Sequence, residues 1–202
     1  MSGVPILVEA EGLRVLIVGG GEVATRKAKQ FAYAGALVRI IAPELILDLE
    51  ELVVEKALGV ERRPYESGDI ADAHIVVAAT NDRLVNAAIA RDADADNRLL
   101  NAADHSDEGN FAMMAAHRRG PLTIGVSAGG VPAAAQRIRD AIGERFDARY
   151  GDAVGDLAAL RRRMINAGEG HAWRERASEL INHEFCDAVE QGALAQRIAS
   201  WP

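Results

Sequence analysis

Residues 13–21 combine a short apolar run with three consecutive glycines. The run Leu13–Val18 is rich in branched side chains, which is typical of a parallel strand buried on both faces. From Val23 to Ala34 apolar and small residues recur at helical spacing, and Gly35 ends the pattern. A strand, a glycine turn and a helix in this order predict the first unit of a parallel sheet, whose turn leaves room for a bound phosphate.

The same alternation continues to about residue 110. Further strands are predicted at residues 37–41, 60–63, 75–79 and 99–101, with helices at residues 45–58 and 82–95 between them. Parallel strands joined by crossover helices carry helices on both faces of the sheet. We therefore predict an α/β fold, a Rossmann-type doubly wound parallel sheet, over residues 1–110.

The pattern changes after residue 110. One clear strand is predicted at residues 122–127, followed by helices at residues 132–146, 152–165 and 172–189. We predict a small α+β dimerisation region at residues 111–150 and a C-terminal helical region at residues 151–202. Because this second part is too small and too extended in its pattern to be self-sufficient, a homodimer is expected.

Composition narrows the class of protein. The chain has 202 residues, 49% of them hydrophobic, and its apolar runs fall short of the roughly 18 residues of a membrane-spanning helix. The first ten residues lack the basic and apolar segments of a signal peptide, and one cysteine, Cys186, builds neither a disulfide framework nor a cysteine-based metal site. We expect a cytoplasmic protein with no membrane partner.

Charge is distributed unevenly along the chain. A net charge of −7 argues against nucleic acid as a partner. Residues 1–110 hold 11 basic and 19 acidic side chains, whereas residues 111–202 hold 12 and 11, and all 12 of those basic residues are arginines. An anionic ligand would therefore find its cationic partners most easily in the second half.

A GxGxxA motif lies between the first strand and the first helix and consists of Gly19, Gly21 and Ala24. Its spacing places backbone N–H groups and the positive helix end where a pyrophosphate binds, which favours dinucleotide binding over a tight turn with no ligand. Glu44, after Pro43, is the candidate for the adenosine ribose. NAD is favoured over NADP because no arginine lies just beyond the second strand, although Arg39 within it leaves the preference open.

Polar side chains follow the fourth and fifth strands, where ligands of such sheets bind. Thr80 and Asn81 are candidates for the cofactor site, but they could equally cap the next helix. Asn101 ends the fifth strand, and Asp104 lies in a polar stretch with no long helical pattern directly after it. Asp104 is therefore a candidate for proton handling or ligand orientation.

Two histidines and a second glycine turn are weaker candidates. His105 and His117 have no second ligand at a recognisable spacing, so they are interpreted as surface or turn residues and no metal site is predicted. The turn at residues 127–130, which begins with Ser127, is either a ligand site or a plain sharp turn. The nearby arginines could face an anionic substrate or lie on a solvated helix face; they are Arg118, Arg119, Arg137 and Arg139.

Five blocks of sequence belong together. They are residues 14–27 around the glycine turn, residues 78–82 with Asn86, residues 101–104, residues 120–122, and residues 127–130 with Pro132 and Arg139. In this order and spacing they resemble the precorrin-2 dehydrogenase family, which also forms the N-terminal module of sirohaem synthases. The resemblance covers about residues 5–146, and the helical tail matches only in length and character.

The resemblance implies NAD-dependent oxidation of precorrin-2, an anionic tetrapyrrole, to sirohydrochlorin on the route to sirohaem or other modified tetrapyrroles. In that family an aspartate after the fifth strand is implicated in catalysis, and Asp104 occupies its place. We assign NAD contacts to Gly19, Gly21, Glu22, Val23, Pro43, Glu44, Thr80 and Asn101, and substrate contacts to Arg118, Arg119, Ser127 and Arg139. Family members are homodimers, and some also insert iron into sirohydrochlorin.

The sequence departs from the family pattern on its expected substrate side. Residues 111–115 lack the usual proline, Gln136 replaces a common arginine, and Ala128 stands where many relatives carry serine or threonine. These changes weaken the expectations about substrate recognition and iron insertion more than the expectation of NAD binding. Two alternatives stay open because a sheet fold does not fix function. They are a non-catalytic NAD(H)-sensing dimeric module and a sirohydrochlorin chelatase without redox chemistry.

Overall fold

A computed structural model of the chain describes residues 3–103 and 108–201. Contacts within the chain divide it into two compact units, Met1–Met113 and Met114–Pro202. Among the described residues, no helix is both long enough and apolar enough to cross a membrane.

The first unit contains a five-stranded parallel sheet in the order β3-β2-β1-β4-β5. The strands are β1 (Arg14–Val18), β2 (Leu37–Ile41), β3 (Gly59–Glu61), β4 (Ile75–Ala78) and β5 (Leu99–Ala102), and the helices are α1 (Glu22–Tyr33), α2 (Leu47–Lys56) and α3 (Arg83–Ala95). The predicted Rossmann-type α/β sheet is confirmed, with element bounds that differ from the predicted ones by at most two residues. Strand order reverses between β1 and β4, and the carboxyl edge at such a point is where doubly wound sheets bind ligands.

Two hydrophobic clusters fill the faces of this sheet, since successive side chains of a strand point to opposite sides. Val15 and Ile17 of β1 pack with Ala24 and Ala28 of α1 on one face, and Leu49 and Leu52 of α2 complete that cluster. On the other face, Leu16 and Val18 pack with Ile89 and Ala93 of α3. All four residues of β4 are buried, as expected for a central parallel strand.

Asn110 closes the outer edge of β5. Its Oδ1 accepts a hydrogen bond from the Leu100 N–H at 2.7 Å, and its Nδ2 donates to the Arg98 carbonyl at 2.8 Å. The Asn110 N–H also donates to the Leu100 carbonyl at 3.0 Å. This asparagine takes the place of a further strand and leads the chain along the sheet edge to Phe111.

The second unit begins with a β-hairpin and continues as helices. Its elements are β6 (Ala115–Arg119), β7 (Leu122–Val126), α4 (Pro132–Arg145), α5 (Ala148–Asn166), α6 (Gly170–Leu180), α7 (Phe185–Glu190) and α8 (Ala193–Ala199). The sequence interpretation missed β6 and α8, and the single helix predicted at residues 172–189 is wrong. The side chain of Asn182 accepts a hydrogen bond from the Glu184 N–H at 2.9 Å, in the turn that separates α6 from α7.

A third hydrophobic cluster lies within this second unit. Tyr150, Leu157 and Leu160 of α5 pack with Leu194 and Trp201 in it. Five of its ten buried residues come from α5, a helix of 19 residues, and the other five come from α6, α7, α8 and Trp201. The sequence did not indicate this core, because apolar spacing did not separate the short helices after α5 from one another.

Candidate functional site

A cavity of about 750 Å³ opens at the carboxyl edge of the parallel sheet. Four segments line most of it: residues 18–23 at the start of α1, residues 41–44 after β2, Pro64 and Tyr65 after β3, and residues 79–82 after β4. Val85 and Ala103 complete the lining. Of the predicted cofactor residues, the structure brings Gly19, Gly21, Glu22, Val23, Pro43, Glu44 and Thr80 to this cavity.

The three glycines of the first turn meet different surroundings. Gly19 has φ +129°, and a Cβ there would overlap the Ala79 carbonyl. A Cβ on Gly20 would overlap the Glu44 carbonyl, whereas a Cβ on Gly21 would meet no atom of the described residues within 4 Å. Gly19 and Gly20 are therefore required by the packing of the turn, while Gly21 keeps the cavity open.

The beginning of α1 offers free hydrogen-bond donors to the cavity. Gly21 precedes the helix without a side-chain cap, and within the described chain no protein acceptor takes the N–H of Gly21, Glu22 or Val23. Unpaired N–H groups and the positive end of the helix dipole together make an anion site. A pyrophosphate group fits this arrangement.

Glu44 lies three residues after β2 and is exposed at the cavity. Across residues 3–103 and 108–201 it forms no hydrogen bond or ion pair, so it can accept bonds from ribose hydroxyls.

Arg39, which left the preference between NAD and NADP open, binds Glu61 and the Asp69 backbone and does not line the cavity. Its Nη1 lies 2.7 Å from Glu61 Oε1, and its Nη2 donates to the Asp69 carbonyl. Arg63 pairs with Glu61 and Asp69 at 2.6 Å each, and its hydrogen bond lowers the pKa of Asp69. Neither arginine lines the cavity.

Thr80 and Asn86 fix the loop after β4. Asn86 is buried, its Nδ2 donates to the Thr80 carbonyl at 2.9 Å, and its Oδ1 accepts from the Thr80 hydroxyl at 2.8 Å. The cap of α3 is Asp82, whose carboxylate accepts from the N–H groups of Leu84 and Val85. The alternative that Thr80 or Asn81 caps the helix is therefore wrong, and no spacing in the sequence indicates the Asn86 hydrogen bonds.

Asn101 lies away from the cavity lining. Its side chain is buried on β5, and its Nδ2 donates to the Phe111 carbonyl at 3.2 Å. Its Oδ1 has no hydrogen-bond partner among the described residues. Asp104 and His105 lie outside the described residues, and Ala103, the residue before them, lines the cavity.

The predicted substrate residues all belong to the second unit. Arg118 and Arg119 are exposed neighbours on β6, so their side chains leave opposite faces of the hairpin. Ser127 is exposed just after β7, and Arg139 of α4 pairs with Asp140 at 2.5 Å. The four residues do not form one cluster within this unit.

His117 is a buried residue rather than the surface residue expected from the sequence. It lies on the hairpin face that packs against α4, with Nε2 2.6 Å from the Phe146 carbonyl. Among the described residues, no group of three or more His, Cys, Asp or Glu side chains could hold a metal ion.

Known proteins resemble this chain along most of its length. A family model described as "Putative NAD(P)-binding" matches residues 6–115. The siroheme synthase of Azotobacter vinelandii is 34% identical over 206 residues, covering 99% of this chain and 42% of the relative. That of Ectopseudomonas mendocina is 34% identical over 204 residues, covering 98% and 41%. This chain thus spans about two-fifths of the length of these relatives.

A solved structure of SirC, precorrin-2 dehydrogenase, matches 98% of this chain and 100% of its own, with a TM-score of 0.75 and 26% sequence identity. The resemblance inferred from the five sequence blocks is confirmed by these likenesses. The family model covers more than half of the chain and contains every residue that lines the cavity. The chain therefore belongs to this NAD(P)-binding family.

Proposed function

We propose that the protein is an NAD-dependent dehydrogenase that converts precorrin-2 to sirohydrochlorin. The observation that carries this proposal is the likeness to SirC, precorrin-2 dehydrogenase, over both chains. In this reaction a hydride passes from a carbon of the macrocycle to the nicotinamide ring, giving NADH, and a proton leaves the macrocycle. The protein has to hold both molecules and accept that proton.

Residues of the first unit supply the cofactor site. The N–H groups of Gly21, Glu22 and Val23 hold the pyrophosphate, and Glu44 accepts hydrogen bonds from the adenosine ribose. NAD is preferred to NADP because a carboxylate at Glu44 repels a 2′-phosphate and because Arg39 is held by Glu61.

Asp104 is our candidate for the proton acceptor. Two points support it: its place in the resemblance to the family and its position in the sequence directly after the cavity-lining Ala103. Asp104→Asn keeps the shape of the side chain and loses the base, so the rate is expected to fall ~10²- to 10⁴-fold while NAD binding persists. His105→Ala is expected to matter less. Normal turnover by Asp104→Asn with an inactive His105→Ala would transfer the role to the histidine.

Arginines of the second unit are proposed to bind the carboxylates of the tetrapyrrole. Arg118 is the best placed, because it is exposed and its side chain forms no hydrogen bond or ion pair in the described chain, whereas Nη1 of Arg119 donates to the Arg118 carbonyl at 2.9 Å. Arg139 shares its charge with Asp140, and Arg119 and Ser127 are also accessible. Replacing Arg118 by alanine is expected to raise the KM for precorrin-2 and leave the affinity for NAD unchanged.

We also propose a homodimer formed through residues 111–150. In this region α4 leaves Ile138 exposed, and one face of the hairpin, with Ala116, Arg118, Thr123 and Gly125, carries no helix within the described part of the unit. Light scattering is expected to give twice the 21.6 kDa mass of one chain. A single-chain mass at micromolar concentration would contradict this proposal.

The decisive experiment incubates the purified protein with precorrin-2 and NAD and follows NADH together with the sirohydrochlorin spectrum. Both products in equal amounts are expected. Tight NAD binding without turnover would favour the sensing module, and iron insertion into sirohydrochlorin without NADH formation would favour the chelatase.

A further inference from the structure

One wall of the cavity is aromatic and lies on the β3 side of the sheet. Pro64 and Tyr65 follow β3, the outermost strand next to β2, whereas Ala103 follows β5 at the opposite edge. The path from the start of α1 to Glu44 runs from β1 past β2 toward β3. With the pyrophosphate at α1 and the adenosine ribose at Glu44, an adenine base continuing along this path would lie beside Tyr65.

Tyr65 is held in place by two kinds of contact. Its ring is half-buried and packs against the cluster under α3, and its hydroxyl donates to Asp92 Oδ2 of α3 at 2.6 Å. Burial and this hydrogen bond, with smaller effects of Asp69 and Asp96, raise the pKa of Tyr65, so the hydroxyl stays protonated. Because the hydroxyl is engaged with Asp92, the ring itself is what remains to contact a ligand.

The surroundings of the ring suit a flat apolar group. Pro64 and Val85 also line the cavity, and Val85 packs on the same cluster as Tyr65. Aromatic rings stack on nucleobases, and the gain is largest when the ring is already ordered before the base arrives.

We propose that Tyr65 forms the adenine-binding wall of the cavity and that Asp92 is a positioning residue that fixes its ring. This inference rests on the proposed NAD-dependent function. It adds a determinant of cofactor affinity outside the glycine turn and Glu44.

The test measures the affinity of the full chain for NAD and for ADP-ribose, which keeps adenine and both phosphates. Tyr65→Leu keeps apolar volume and removes the aromatic face, so both affinities are expected to fall about tenfold to a hundredfold. The KM for NAD rises by the same factor, and kcat at saturating NAD is unchanged. Tyr33→Leu is the matched control, because Tyr33 also donates to a carboxylate, Glu55, but lies exposed outside the cavity.

Asp92 is tested through the same affinities. Tyr65→Phe and Asp92→Ala each remove the hydrogen bond, and each is expected to weaken ADP-ribose binding about two- to tenfold. The double variant is no weaker than either single one, because both changes remove the same contact. Asp92→Asn retains an acceptor and restores affinity close to that of the unmodified protein.

The outcomes separate the two proposals. A protein that binds neither NAD nor ADP-ribose overturns the proposed function and this inference together. Normal binding of both ligands by folded Tyr65→Leu overturns the adenine wall alone. Additive losses in the Tyr65→Phe and Asp92→Ala double variant overturn the positioning role of Asp92.

Discussion

Among single residues, the glycines of the first turn decide the shape of the candidate cofactor site. A side chain on Gly19 would overlap the backbone of the loop after β4, whereas a side chain on Gly21 would meet no atom of the described residues within 4 Å. Gly20 is not part of the motif, yet it lies against the Glu44 carbonyl. That contact joins residues 24 positions apart and has no local signal.

Gly21→Val is predicted to fold normally and to lose NAD binding. The residue has extended backbone that any amino acid adopts, and its new side chain would occupy the space of the pyrophosphate. Gly19→Val is predicted to lower the free energy of unfolding by about 2 kcal/mol or more, because of its positive φ and its overlap with Ala79. Calorimetric titration with NAD and chemical denaturation measure the two effects. Unchanged NAD affinity in folded Gly21→Val would place the cofactor elsewhere.

Lys27 of α1 predicts a pH dependence of stability. Burial, with a smaller effect of Arg26, lowers its pKa from 10.5 to about 8. The folded state therefore disfavours the charged form, and this cost is fully present below about pH 8 and disappears as the pH rises through 10.5. Lys27→Met is predicted to raise the free energy of unfolding by roughly 1–2 kcal/mol at neutral pH, a value reduced for solvent screening.

The gain from Lys27→Met should shrink toward zero in alkaline buffer. Urea denaturation at neutral and at high pH measures it. Lys29→Met is the control, because Lys29 lies exposed on the same helix and its replacement should change stability little at either pH. A gain that is equal at both pH values would show that burial of the methionine, and not the lysine charge, is responsible.

Elements that carry their own apolar pattern were predicted correctly from the sequence. Four of the five strands of the parallel sheet consist mostly of apolar residues and end within one residue of the predicted position, whereas β3 has a single apolar side chain, Val60, and ends two residues earlier than predicted. The hairpin strand β6 was missed because its sequence, with His117, Arg118 and Arg119, has no apolar run. The helix expected at residues 172–189 is broken by a turn held by the Asn182 side chain, which apolar spacing does not reveal.

Asp82→Ala is predicted to destabilise the protein by about 1 kcal/mol. Its carboxylate accepts hydrogen bonds from Leu84 and Val85, which are otherwise unpaired donors in the first turn of α3. Asn81→Ala, at the neighbouring exposed position, is predicted to change the free energy of unfolding by less than about 0.5 kcal/mol. Thermal unfolding of both variants is the measurement, and equal losses would show that the loop as a whole, rather than the cap, carries the stability.

At the scale of the whole molecule, the candidate site could be predicted only in part. The residues proposed to bind the cofactor, apart from Asn101, share one sheet edge, and the order of strands is enough to bring them together. Asn101 was assigned to that edge from its place in the sequence. Because side chains alternate along a strand, its side chain instead leaves β5 on the side of Phe111 and donates a hydrogen bond to the Phe111 carbonyl. The four proposed substrate residues come from a hairpin, a loop and a helix. The spacing of apolar residues in the sequence does not predict how these three elements are arranged in space.

The division into two units predicts how a fragment of residues 1–113 behaves on its own. Both hydrophobic clusters of the parallel sheet and every residue lining the cavity lie within this fragment. Its end is also secured, because Phe111 and Met113 pack on the first cluster and Asn110 closes β5. The fragment is therefore predicted to fold and to bind NAD with the affinity of the full chain, but to form no NADH from precorrin-2, since the arginines proposed to hold the substrate are missing.

Calorimetry tests whether the fragment binds NAD, and the NADH assay tests whether it turns over precorrin-2. Gly21→Val in the same fragment is the non-binding control. A folded fragment that fails to bind NAD would show that the second unit contributes to the cofactor site.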